Sequence, residues 1–200
     1  MFGWPPQAGP ANRALRRTAV STYTSCGGHG KAGDRLLSAT YPCSAHHSAT
    51  ESLTTSSLFG MTDSEYQATA HGHRALGTWA RDGIRGMINE EAIGGNLLVQ
   101  HYTGESATPS QIVMNSPRSE LYLMNLIRLR ADVRWIMSVT PDGTSATTFT
   151  STVQTTMPRW LRILGIFTRA SHYIQAHVNE ETLGYARDLA RSTARQQAAA

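Results

Sequence analysis

The stretch Val133-Arg134-Trp135-Ile136-Met137-Ser138-Val139-Thr140-Pro141-Asp142-Gly143, continued through Met157-Pro158 into a helical run ending near Arg195, decides the fold class. Val133, Trp135, Met137 and Val139 recur at every second residue, and Phe149, Val153 and Met157 continue the odd-numbered pattern on the returning segment. Period-2 alternation puts these side chains on one dry sheet face, while Ser138, Thr148, Thr150, Thr152 and Thr156 make the other face wet. Pro at the second and Gly at the fourth position of Thr140-Pro141-Asp142-Gly143 suits a type I turn, with Gly143 supplying the positive φ. After Pro158, Trp160, Leu164, Phe167, Ile174, Val178, Tyr185 and Leu189 return at helical spacing, and Arg162, Arg169, Glu180, Glu181, Arg187 and Asp188 fall mostly elsewhere. Gly165 and Gly184 are expected to kink or divide this helix. A run of antiparallel strands followed by a long C-terminal helix predicts the α+β class.

Working outward, Thr62 with Glu65 three residues later makes a capping box, and Met61 and Tyr66 are spaced as a hydrophobic staple. A helix is therefore expected from Asp63, with Tyr66, Ala70, His73, Leu76 and Ala80 on one face, ending before Asp82-Gly83. On such a helix His71 and His73 point about 200° apart and cannot share a metal, so His73 reads as a packed core-edge residue. Strands follow at 84–93, at 96–102 after a Gly94-Gly95 turn, and at 111–115. Residues 120–129 fit a helix or a buried strand, and we assign a strand.

Residues 1–58 are crowded with Gly, Pro, Ser, Thr and Ala and lack apolar periodicity, so they are expected to be a disordered or processed segment preceding one domain at 59–200. The net charge of +4 sits largely there: before Met61 five basic groups face two acids, whereas from Met61 onward 13 arginines face 12 acids. A near-neutral folded part with scattered arginines argues against nucleic-acid binding. No run approaches the roughly 18 apolar residues of a membrane span. Arg13, Arg16 and Arg17, with no acid before Asp34, resemble an organelle transit peptide, while Met61 would serve as a true start. The expected location is the cytoplasm, with an organelle as the alternative.

Cys26-Gly27-Gly28-His29 and Cys43-Ser44-Ala45-His46 form two C-x-x-H pairs, a ligand set that tetrahedral zinc accepts, with His47 in reserve. Little apolar material separates them, so the plainer expectation is two incidental pairs and no metal. Gly27-Gly28-His29-Gly30-Lys31 is followed by Ala32 and preceded by no strand, so it is not a phosphate loop. Glu90 and Glu91 are adjacent and on a strand point oppositely, which reads as a solvated hairpin end. No Gly-x-Ser-x-Gly occurs.

The order from this hairpin, through Met157-Pro158-Arg159-Trp160-Leu161, to the helix with Asn179-Glu180-Glu181-Thr182-Leu183, resembles the C-terminal half of the helix-grip superfamily, SRPBCC. That superfamily includes START lipid carriers, the birch-pollen allergen group and polyketide cyclase/dehydratases. The resemblance covers about residues 95–195 and has no catalytic signature. Members begin with a strand that leads into two short helices, and here only residues 49–57 offer themselves as that strand. The resemblance implies a curved antiparallel sheet gripped by the C-terminal helix, with a cavity for small hydrophobic or aromatic molecules. Its lining would be Leu97, Val99, His101, Met114, Trp135 and Met137, with Phe167, Ile174 and Val178 from the helix. The function implied is a binding or carrier domain for such a ligand. One alternative is a cyclase or dehydratase with His101 as general base and Arg134 or Tyr102 steadying an enolate. Another is an N-terminal zinc segment of Cys26, His29, Cys43 and His46 mediating interactions. A nuclear-transport-factor-like cone is disfavoured by the C-terminal helix. No cofactor is implied, and no oligomeric state follows.

Overall fold

The computed structural model describes residues 17–18, 36–47, 58–141, 147–158, 160 and 170–198. Among these, eight strands form one antiparallel sheet. They are β1 (Arg17–Thr18), β2 (Leu36–His47), β3 (His73–Arg81), β4 (Ile84–Ile93), β5 (Asn96–Thr108), β6 (Gln111–Leu123), β7 (Ile127–Pro141) and β8 (Thr147–Pro158). Helix α1 (Asp63–Thr69) lies between β2 and β3, and α2 (Ala170–Ala198) follows β8. The strand order is β1-β2-β8-β7-β6-β5-β4-β3, so β3 to β8 form a meander and β2 crosses to pair with β8. None of the described helices is long and apolar enough to cross a membrane.

Two-residue turns set the registers at one side of the meander. Asp82 and Gly83 have φ of 52° and 76°, and Gly94 and Gly95 have 57° and 81°, the paired positive values of the tight hairpin turn that matches strand twist. Asp82-Gly83 thus closes the β3–β4 hairpin and does not end a helix. The expected helix from Asp63 is correct at its capping box, where Glu65 N–H donates to Thr62 Oγ1 at 3.3 Å and Thr62 N–H to Glu65 Oε2 at 2.9 Å. It stops at Thr69, and residues 73–81 are a strand because their pairing with β4 outweighs a helical spacing of Leu76 and Ala80. Residues 120–129 are not one strand: Met124 and Asn125, with φ of 51° and 58°, turn the chain between β6 and β7. Strands β5 and β6 also run well past the expected 102 and 115, β6 passing Pro117 inside a bulge between Ser116 and Ser119.

Residues 36–47, expected to lack structure, form β2, paired in register from Leu36↔Pro158 to His47↔Thr147. This strand occupies the place expected for residues 49–57, which lie outside the described residues together with 1–16, 19–35 and 48. The tip of the β7–β8 turn, Asp142 and Gly143, lies outside them too, but Pro141↔Thr147 shows the hairpin closed.

The dry face of β7 and β8 is as expected, with Val133, Trp135, Met137, Val139 and Phe149 buried. Bulges at β3–β4, β5–β6 and β6–β7 bend the sheet, and α2 lies along its concave side against β2, β8, α1 and β4. Trp135 is the centre of this layer, 5.8 Å from the Tyr102 ring and 5.3 Å from the Tyr185 ring, and its Nε1–H donates to Ser151 Oγ at 2.8 Å. Helix α2 runs unbroken through Gly184. A Cβ there would lie 2.7 Å from Thr69 Cα, so Gly184 is the point where α2 presses on the end of α1.

Candidate functional site

Between α2 and the sheet lies a cavity of about 50 Å³, lined by residues of β4, β5, β7, β8 and α2. Val133, Trp135, Val153, Ile174 and Val178 make an apolar wall, and Glu91, Gln100, His177 and Glu181 make a polar end. Of the nine side chains expected to line it, Trp135, Ile174 and Val178 do. Met114 and Met137 are buried in the core beside it, and Phe167 lies outside the described residues. Leu97, Val99 and His101 sit on the opposite face of β5, from which Leu98, Gln100 and Tyr102 reach the cavity.

That inversion has a physical cause. Both faces of 96–102 carry apolar residues, so parity alone does not choose, and pairing with β4 does. Leu98, Gln100 and Tyr102 stand opposite Glu91, Asn89 and Met87, all buried under α2. His101 is exposed, and the expectation of it as an ionisable group on the dry face is corrected. Arg134 is also turned away, paired with Glu105 at 3.0 Å. Cys43 and His46 are on β2, while Cys26 and His29 lie outside the described residues.

The polar end continues into a buried cluster that joins four elements. Cross-strand neighbours His73 and Glu91 come from β3 and β4, His177 and Glu181 from successive turns of α2, and Tyr66 and Thr69 from α1. Relative exposures are 4% for His73, 5% for Glu91, 8% for His177 and 4% for Glu181. Tyr66 OH donates to Glu91 Oε1 at 2.9 Å, and Asn89 Nδ2 donates to the same oxygen at 2.7 Å. His73 Nδ1 lies 2.8 Å from the Tyr66 carbonyl, which can only accept, so Nδ1 carries the proton. Tyr66 also stacks on the His73 ring at 3.8 Å. Gly72 admits His177, since a Cβ at 72 would come within 3.0 Å of its ring.

Two ion pairs complete the cluster: His177 Nε2 is 3.4 Å from Glu91 Oε2, and His73 Nε2 is 3.4 Å from Glu181 Oε1. Neither nitrogen is aligned for a hydrogen bond, so both Nε2 atoms are buried without one, as are Gln100 Oε1, Thr155 Oγ1, Asn89 Oδ1 and Tyr185 OH. Burial pushes the His177 imidazole down, but the Glu91 carboxylate, then Glu181 and Glu180, push harder and leave it up at about 9. His73 is raised in the same way, against burial, by Glu181 and Glu91. Burial pushes Glu91 up, and His177, His73 and Tyr66 more than reverse this, leaving it below the ordinary carboxylate value. Burial raises Tyr66, Tyr102 and Tyr185, which keep their protons.

Glu91 is therefore not the solvated hairpin end expected of it, whereas His73 is packed, though on a strand. His177 and Glu181 were missed, yet the sequence carried a signal. They are four apart on the helical stripe of Ile174 and Val178, and a His–Glu pair on an apolar stripe marks a buried polar function.

No protein-family model matches the chain, and no curated protein matches it. Solved structures do match. An uncharacterized protein from Rhizobium leguminosarum aligns at 16% identity and a TM-score of 0.51, over 78% of this chain and 97% of that one. The di-domain ARO/CYC StfQ from the steffimycin biosynthetic pathway aligns at 13% identity and a TM-score of 0.50, over 80% of this chain. The match spans 53% of StfQ, about half its length. The lipid transfer and protein localization domain of human StarD13 aligns more loosely, with 11% identity and a TM-score of 0.44 over 85% and 89% of the two chains. The first two show the fold that the chain shares with them, a curved antiparallel sheet gripped by a long C-terminal helix.

Proposed function

We propose that the chain is a binding domain for a small, mostly apolar or aromatic molecule, held between the sheet and α2 with a polar group turned toward Glu91 and His177. The observation that supports this most is the two-part lining of the cavity. An apolar wall offers affinity through burial, and Gln100 Oε1 and Thr155 Oγ1, buried without a hydrogen bond, offer orientation. At about 50 Å³ the cavity falls short of the roughly 300 Å³ at which drug-sized pockets begin. Binding thus requires α2 or the side chains of Ile174 and Val178 to yield.

A titration of the full chain with 2-naphthol, an aromatic bicycle with one hydroxyl, tests this by calorimetry in EDTA. Saturable 1:1 binding is expected, tighter in Ile174→Ala, which enlarges the space, and lost in Val178→Phe, which fills it. No saturable binding by either the unaltered chain or Ile174→Ala sinks the proposal.

The convergence of Glu91 and His177 on the cavity favours a second reading, an acid–base enzyme of cyclase or dehydratase type. In that reading His177 is the general acid and Glu91 the base, in place of the exposed His101. Glu91→Gln would then retain 2-naphthol binding and abolish turnover of any substrate found.

A further inference from the structure

Three features of the His73–Glu91–His177–Glu181 cluster go beyond a pair of salt bridges. First, the ligand-type atoms of His73, Glu91 and His177 all lie within 4.8 Å of one another, and the two His–Glu approaches are 3.4 Å each. The edge of a tetrahedron with metal bonds of about 2.0–2.1 Å is about 3.3–3.4 Å, so the His177–Glu91 edge of such a site is already at length. Second, both Nε2 atoms are buried, face carboxylates at 3.4 Å and have no aligned hydrogen bond, so each still has a lone-pair direction that no protein atom meets well.

Third, the outer partners are those that orient metal ligands. His73 gives its Nδ1 proton to a backbone carbonyl, which leaves Nε2 as the nitrogen that would coordinate once it sheds its proton to the cation. Glu91 engages Tyr66 and Asn89 through Oε1, which leaves Oε2 facing His177. Tyr66 and Asn89 thereby serve as supports and not as ligands.

We propose that this cluster is a binding site for a divalent transition-metal cation, with His73 Nε2, His177 Nε2 and Glu91 Oε2 as ligands and Glu181 beside His73 as an outer carboxylate. Two imidazoles with carboxylates suit zinc-class cations and not magnesium or calcium, which take oxygen ligands. Binding replaces imidazole protons by the metal and ties β3, β4 and α2 together at one atom. Because Glu91, His177 and Glu181 also line the cavity, the cation would stand at its polar end. The proposal does not depend on the apolar ligand, whose binding is measured in EDTA.

The test is titration of the metal-free full chain with CoCl₂, followed by visible absorption, with ZnCl₂ competition. Cobalt bound by nitrogen and oxygen in a tetrahedral site gives intense visible bands without a thiolate charge-transfer band. The expected result is one cobalt per chain, displaced by zinc, with affinity weakened 100-fold or more in His73→Gln and His177→Gln and less in Glu181→Gln. Near-ultraviolet circular dichroism checks that each variant keeps the Trp135 environment. The second set, Cys26, His29, Cys43 and His46, is separated by Cys26→Ser/Cys43→Ser, which should leave the signal unchanged. No stoichiometric cobalt uptake by the unaltered chain overturns the proposal. So does a signal that carries the thiolate band and vanishes in the double serine variant.

Discussion

Replacing Gly184 by alanine sets two effects of opposite sign against each other. In an open helix interior, glycine to alanine stabilises by about 1 kcal/mol, because alanine costs less backbone entropy. Here the new methyl carbon would lie 2.7 Å from both Thr69 Cα and Thr69 C, and closer still to its oxygen. Ordinary carbon contacts begin near 3.5 Å, so α1 and α2 must part by about 0.8 Å or more, and the obstacle is backbone that no rotamer change can move. Overpacking costs about 1–3 kcal/mol, and against three backbone atoms the upper part of that range, about 2–3 kcal/mol, applies. Packing should win, with Gly184→Ala destabilised by about 1–2 kcal/mol, a fall of roughly 2–8 °C in Tm for a chain of this size. Differential scanning calorimetry at matched pH in EDTA measures it. A variant as stable as the parent, or more so, would refute the close approach of the two helices and with it the placement of Glu181 beside His73.

Other outcomes follow from the same contacts. In metal-free protein His177 titrates near 9 when folded against about 6.5 when unfolded, so its stabilisation is complete below 6.5 and is lost as pH rises through 9. The difference is on the order of 3 kcal/mol at 1.36 kcal/mol per unit, His73 acts in the same direction, and Glu91, lowered below 4.5, loses its share as pH falls. Urea melts at pH 6, 7.5 and 9.5 should show the decline, and Glu91→Gln should flatten it; a flat parent curve contradicts the charged pair. Trp135→Ala should cost about 3–5 kcal/mol by thermal melting, since it empties the centre of the layer and strands Ser151 Oγ. An effect below about 1 kcal/mol would mean that Trp135 is not the keystone. His101→Ala should change stability by less than about 0.5 kcal/mol and leave 2-naphthol binding intact, because the side chain is exposed and its backbone N–H is what bonds Ser116 Oγ. Loss of binding in that variant would restore His101 to the site.

The legible parts of the fold were those where local and tertiary preferences agree. Val133, Trp135, Met137 and Val139 recur at every second residue on the buried face, and the capping box of Thr62 and Glu65 is a purely local signal. Residues 73–81 misled because Leu76 and Ala80 suit either structure, and only the Asp82-Gly83 turn, read as a hairpin, would have corrected it. The face of β5 was undetermined because Leu97 and Val99 balance Leu98 and Tyr102, and polar Gln100 is inside, where it donates to Tyr102 OH at 2.9 Å. The cluster was hidden for another reason: His73, Glu91 and His177 belong to three segments that only the curvature of the sheet and the lie of α2 unite. The helical pairing of His177 with Glu181 was its one local trace.

The pairing of β2 with β8 has a consequence for how the chain is made. Leu36 to His47 emerges from the ribosome early, yet its partner ends at Pro158. At roughly 5–20 residues per second, about 6–22 s of translation separate the two strands. Helix α2 comes later still, so for some further seconds Tyr102 and Trp135 have a sheet to sit on and nothing above them. Nascent molecules therefore pass through an interval with a bare apolar trough and an unmatched strand, the combination that invites association between neighbouring chains on a polysome. Expression yield should depend on chaperone capacity during that interval more than on the equilibrium stability of the finished protein.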